Sequence, residues 1–256
     1  MGVLRTPNFS LEKTVSSNQC LTLSKLWTID GPKYTAVVGD KLCVANQYDR
    51  LGMTNTFVMG SDDDYFDTWF DFFDLRRDYL QVHRKFMRCM GPVSYAEKYL
   101  KGLHLVNVPS FQACMEDLFR DKFPKKKSVF WFEQLCAACC GVKHKNVPGI
   151  GSVQWCQVPT PDQVIEAYNA GELDWYFPPN AVAQIVVRVR DYIDFGYFKS
   201  YEPSKKDQQL IRRYYGFSFD EFCDWFLDDE NDYNYLCVLL ATARKQGFLG
   251  RYDVTV

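Results

Sequence analysis

Along most of this chain large apolar side chains recur every three or four residues, and the elements this spacing predicts are helices. At about 100° per residue, Phe66, Trp69, Phe70 and Phe73 fall on one stripe, and Asp67, Asp71, Asp74 and Asp78 on another. Ser61 or Asp62 is placed to cap that helix, and its pattern runs through Arg76, Arg77 and His83 to the Gly91-Pro92 break. Ser94 starts a short helix to Leu100, and Ser110 another that carries Phe111, Cys114, Leu118 and Phe119 and stops before Pro124. An apolar segment from Ser128 to Cys140 reads as a buried helix. Asn146–Gly151 reads as a loop, and Thr160-Pro161-Asp162 as a helix start, with the stop near Gly171. Between Ala181 and Ile193 the period is ambiguous, because Val187-Arg188-Val189-Arg190 alternates like a strand within a helix-length run. Ser204 and Ser218 open capping boxes, the last helix carries Leu236, Val238, Leu239, Leu240 and Ala243 up to Gly247, and Arg251–Val256 is expected to close as a strand.

The first 60 residues follow a different rule. Thr35–Val38 and Leu42–Ala45 flank Gly39-Asp40-Lys41, which predicts a hairpin. The expected fold is mainly α (α+β): a β-containing arm or subdomain over residues 1–60 and a helical body over 61–256, with an internal boundary near 146–158. One octet is written twice, as Phe66-Asp67-Thr68-Trp69-Phe70-Asp71-Phe72-Phe73 and as Phe219-Asp220-Glu221-Phe222-Cys223-Asp224-Trp225-Phe226. Each copy sets an aromatic stripe for packing beside an acidic one for water, cations or a basic partner.

Composition narrows the classes. A 256-residue chain that is 47% hydrophobic and 16% aromatic can bury a core, and its net charge of −2 argues against broad attraction to nucleic acid. No apolar run is long enough to span a bilayer, and the first residues lack the basic-then-apolar pattern of a secretory signal. Met1-Gly2-Val3-Leu4-Arg5-Thr6 fits the loose N-myristoylation pattern at Gly2, although Pro7 disturbs it. The ten cysteines have no disulfide-framework spacing and read as reduced, mostly buried thiols, which suits a cytoplasmic or nuclear protein.

Three constellations could carry chemistry. Asp63-Asp64-Tyr65-Phe66-Asp67 and Asp228-Asp229-Glu230-Asn231-Asp232 both read D-D-x-x-D, whose first and last aspartates share a helix face where Mg2+ could be held against a diphosphate. The pair resembles trans-prenyl diphosphate synthases, and the first motif alone resembles class I terpene synthases. By that resemblance Asp63, Asp64, Asp67, Asp228, Asp229 and Asp232 would be Mg2+ ligands across a helical cavity, with Arg76 and Arg77 as a diphosphate clamp. Cys136, Cys139 and His144, with Cys156 beyond the loop, are zinc-ligand types, though buried apolar thiols are the plainer reading. Lys125, Lys126 and Lys127 form one basic group, and Arg212 and Arg213 beside Tyr214 and Tyr215 another, which could meet phosphates and stack on bases. The Walker A loop, nucleophile elbow, dinucleotide fingerprint and H-E-x-x-H are absent.

From these residues the first expectation is a non-catalytic interaction or structural protein, without a cofactor, that meets a protein partner or itself through its acidic–aromatic helix faces. Two alternatives stand beside it: a Mg-dependent diphosphate enzyme and a nucleic-acid-binding protein using the two basic groups.

Overall fold

The structure is a computed structural model that describes residues 2–5, 8–28, 30–50, 53–58, 68–124 and 127–252. Within them the chain is mainly helical, with a β element in its first 60 residues, as the two periodicities predict. That element exceeds a single hairpin. Strands β1 (Gly2–Arg5), β2 (Ser24–Thr28), β3 (Gly31–Val38), β4 (Lys41–Arg50) and β5 (Met53–Val58) form an antiparallel sheet in the order β1-β5-β4-β3-β2, and helix α1 (Leu11–Ser16) lies between the first two in sequence. The β3–β4 hairpin turns where it was expected, with Val38 opposite Lys41 and Gly39 at φ +55°, a conformation that costs glycine little. Both faces of β4 are covered. Leu42 and Val44 pack on one side with the central helices, and Cys43 and Ala45 on the other with Phe9 and Trp69. A strand buried on both faces reads as the unbroken apolar run seen in the sequence.

The helices are α2 (Phe70–Phe72), α3 (Tyr79–Arg88), α4 (Gly91–Leu100), α5 (Ser110–Lys122), α6 (Ser128–Cys140), α7 (Pro161–Asn169), α8 (Pro179–Phe195), α9 (Lys205–Tyr215), α10 (Phe219–Phe226) and α11 (Glu230–Lys245). A second hairpin, β6 (Val142–Val147) with β7 (Gly151–Cys156), interrupts them. Helices α5 to α8 bury their apolar faces with this hairpin and the sheet. Helices α3 and α4 pack instead with α9 to α11, so the chain leaves one bundle after residue 105 and returns to it near residue 205.

Packing corrects three expectations and settles one that was open. The long helix from residue 62 does not run unbroken: α2 is one turn, Asp74 sits at φ +49°, and Asp78 caps a new helix by accepting from the Leu80 and Gln81 amides. The loop at Asn146–Gly151 is the tip of the β6–β7 hairpin, whose exposed face left no apolar alternation to read. Ala181–Ile193 is helical, because Ala181, Val182, Ile185, Val186 and Val189 form one inward stripe. Gly250–Tyr252 is a 3-10 turn, and the rest of the expected closing strand lies outside the described residues.

Candidate functional site around Lys199

Four separated parts of the chain converge on one pocket of about 240 Å3: the turn after α1, the end of α5, the segment after α8, and the middle of α11. The turn is held from beneath. Gln19 donates through Nε2 to the Ser17 hydroxyl and to the His104 carbonyl, both at 2.8 Å, and accepts from the Val106 amide at 3.0 Å. Asn18 is at φ +61°, which asparagine tolerates better than most residues. The next residues are tied to α5 by Glu116, a fully buried carboxylate that accepts from the Leu21 amide at 2.8 Å, the Cys20 thiol and the Gln112 amide group.

Arg120 completes that anchor. Its Nη2 reaches Glu116 at 3.1 Å and its Nη1 reaches Asp117 at 2.8 Å, while its buried Nε–H has no hydrogen-bond partner. The segment after α8 is extended and alternates. Tyr197 donates to Asp117 at 2.5 Å, Lys199 donates to the Gln19 carbonyl at 2.7 Å, and Tyr201 accepts through its carbonyl from the Cys237 thiol, while Phe198, Ser200 and Glu202 are exposed. This places the Lys199 ammonium in the pocket beside Arg120. Burial lowers its pKa, Arg120 works in the same direction, and Glu116 and Asp117 oppose them. A lysine so placed carries more free amine near neutral pH than an exposed one, the condition for an amine nucleophile. Burial also holds the Cys237 thiol up at about 12, so it lines the wall without serving as a thiolate.

The second D-D-x-x-D group lies in a separate charged groove between the start of α3 and the start of α11. Asp229 caps α11, its Oδ1 accepting from the Asp232 amide at 2.8 Å. Asp232 is buried and held by both Arg77 and Lys85, and Lys85 also binds Asp228. Burial disfavours the Lys85 ammonium, but its hydrogen bonds to Asp228 and Asp232 outweigh this and its pKa is raised. These aspartates, read as Mg2+ ligands, are engaged here by cations of the chain itself. Arg77, read as a phosphate clamp, is one of those cations. Asp63, Asp64 and Asp67 lie outside the described residues.

The residues of zinc-ligand type are Cys136, Cys139, His144 and Cys156. His144 is exposed on β6, and among the described residues no group of three or more His, Cys, Asp or Glu side chains is placed to hold a metal ion. Burial pushes the Cys136 thiol well up and Cys139 up to about 12. Of the basic groups, Lys127, Arg212 and Arg213 are exposed and none lines the pocket, while Lys125 and Lys126 lie outside the described residues. Tyr215 is a brace: its hydroxyl donates to the Met90 carbonyl at 2.7 Å and accepts from the Val93 amide. Sequence reasoning missed Asn18, Gln19, Arg120, Lys199 and Cys237. The one local hint was a lysine set among Tyr197, Phe198 and Tyr201.

No protein-family model matches the chain, and no curated protein matches its sequence. Solved structures do match its fold. The chain is similar to MBOgg1 in complex with a low-affinity DNA ligand, at a TM-score of 0.64 and 15% identity over 96% of each chain. It is also similar to the 8-oxoguanine glycosylase/lyase of Clostridium acetobutylicum in complex with double-stranded DNA, at 0.59 and 13% over 96% of this chain and 99% of that one. A third likeness is to the 3-methyladenine DNA-glycosylase of Archaeoglobus fulgidus, at 0.59 and 10% over 95% and 98%. At these identities the shared property is the fold, and it extends from end to end. That likeness corrects the expectation of a non-catalytic interaction or structural protein, since the fold is one that solved DNA glycosylases have. Among the described residues no helix is long and apolar enough to cross a membrane.

Proposed function

We propose that this chain binds DNA and removes an oxidised base extruded into the Lys199 pocket. The observation that carries the reading is a lysine of lowered pKa in a pocket between regions, on a fold shared with DNA glycosylases. Such enzymes reach a base by taking it out of the stack. In the proposed step the Lys199 Nζ lone pair forms a bond to the sugar C1′ as the C1′–N bond to the base breaks. The base leaves with that electron pair and takes up a proton, and the amine gives one up. Opening of the sugar then leaves an imine.

The pocket also supports a choice of base. Arg120 puts a permanent cation at its wall beside Lys199, so an alkylated base carrying positive charge would be repelled there, whereas a neutral oxidised base would not. Phosphates would meet Lys13, Lys101 and Lys245 beside the pocket turn. There Lys13 Nζ donates to the Lys101 carbonyl at 2.8 Å and Lys245 Nζ to the Ser16 carbonyl at 3.1 Å.

The test is borohydride trapping. Wild-type protein incubated with an 8-oxoguanine duplex and borohydride is expected to form a covalent protein–DNA adduct, absent with undamaged duplex and absent for Lys199→Met. Failure of the folded wild type to form the adduct or to prefer the oxidised duplex would overturn the reading.

A further inference from the structure

The strand order leaves β2 at an edge of its sheet, and β7 belongs to a ladder of only two strands. Each is hydrogen-bonded along one side, β2 to β3 and β7 to β6. Among the described residues no further backbone hydrogen bond reaches Ser24–Thr28 or Gly151–Cys156. Both open edges border one cleft. Ser24, Leu26, Glu133 and Trp155 enclose about 220 Å3 of it, and Trp27, Thr28, Gly149 and Ser152 an adjoining 530 Å3, with Leu26, Val153 and Gln154 common to the two. Consecutive residues of β2 and β7 border this space, while Thr35, Val37 and Leu42 line part of it from the adjoining strands β3 and β4. The cleft is therefore flanked by edges, whose amides and carbonyls are available for pairing.

Its charges are unbalanced. Lys25 is already matched, pairing with Glu12 at 2.9 Å and lying over the Trp27 ring. Glu133, on α6, and Asp30, past the end of β2, line opposite portions of the cleft and make no ion pair or hydrogen bond among the described residues. Trp27 stands 73% exposed at the same edge, an apolar side chain where natural edges are usually blunted by charge.

We propose that this cleft takes an extended peptide of a partner protein, added as a strand to the β2 edge and covered by β7, with a Lys or Arg directed to Glu133 and another to Asp30. Main-chain pairing supplies the affinity, and Leu26 and Val153 receive alternate apolar side chains. The site is independent of the Lys199 pocket and does not rest on the DNA reading.

The probe is a capped Lys-Val-Thr-Val-Thr-Val-Lys peptide at about 1 mM, added to the full chain and followed by hydrogen exchange. Amides of Ser24–Thr28 are expected to slow about tenfold. Glu133→Lys and Asp30→Lys, both at positions free of internal bonds, are each expected to weaken binding about fivefold. A peptide N-methylated at alternate residues on its pairing edge should lose the effect. Absence of protection, equal binding of the methylated peptide, or equal binding of a peptide with glutamates at its ends would overturn the proposal. So would protection that rises with protein concentration without peptide, because the occupant would then be a second copy of the chain.

Discussion

The charged groove at Asp232 and the pocket at Lys199 are made of the same materials and solve opposite problems. Each has a buried carboxylate flanked by cations: Asp232 with Arg77 and Lys85, and Glu116 with Arg120 and, farther off, Lys199. In the groove both cations close directly on the buried carboxylate, and the surplus carboxylates, Asp228 and Asp229, stand at the exposed rim. In the pocket Glu116 is already occupied by an amide, a thiol, an amide side chain and Arg120, so Lys199 bonds to a neutral carbonyl and keeps a weakened hold on its proton. Matched buried charge is architecture, and mismatched buried charge is where chemistry is expected.

The largest predicted effect breaks the matched side. Asp232→Ala leaves Arg77 and Lys85 facing each other without their shared carboxylate, and is expected to cost about 3–5 kcal/mol in urea unfolding. An Asp232→Ala protein as stable as wild type would remove the distinction between the two regions.

Next comes the residue that joins them. His104 stacks on Tyr79, whose hydroxyl binds Asp74 at the groove, and its carbonyl receives Gln19 from the pocket turn. Burial pulls its pKa down to about 4, against the carbonyls of Phe73 and Asn8, which favour the proton. The unfolded chain takes up this proton below about pH 6.5, and the folded chain refuses it until about 4. Its contribution is therefore complete above pH 6.5 and is lost as pH falls toward 4, by about 3 kcal/mol. Unfolding measured across that window should show the loss, and His104→Gln should lose this part of the slope.

The mismatched side predicts a dissociation of activity from stability. Lys199→Met removes the amine and also a poorly compensated charge, so processing of an oxidised duplex should fall at least about a hundredfold while stability in urea is unchanged or rises. Wild-type activity should climb with pH and level off below the usual lysine value, since burial lowers the pKa of Lys199. If Lys199→Met were active but unstable, the pocket would be architecture like the groove.

Much of the fold was legible because helices announce themselves locally. Ser218 and Glu221 form the capping box that their spacing predicts, and Thr160 and Gln163 form another. The doubled acidic–aromatic octet resolves in part: Trp69, Phe72, Phe219 and Phe222 are core and the acids that follow serve as caps and ion-pair partners, whereas Trp225 is exposed and Phe66 and Asp67 lie outside the described residues. The site was not legible. Gln19, Arg120, Lys199 and Cys237 are spread over more than two hundred residues and share no spacing rule, so only the return of the chain from α8 to α11 brings them together. The β6–β7 hairpin escaped for a related reason: β6 is largely polar, and the apolar face that Val147, Val153 and Trp155 turn to the core is split across two short strands.

The smallest effect tests how the pocket would meet DNA on a chain whose net charge is only −2. With so little overall attraction, binding must rest on a few placed cations, and Lys245 at the turn beside Asn18 is one of them. Lys245→Ala should weaken binding to damaged and undamaged duplex by the same factor and reduce the salt dependence of log K by about one phosphate contact. Arg212→Ala, on the exposed face of α9 away from the pocket, should leave that slope unchanged. If the two results were reversed, the duplex would lie along α9, and the Lys199 pocket would not be the place where a base is received.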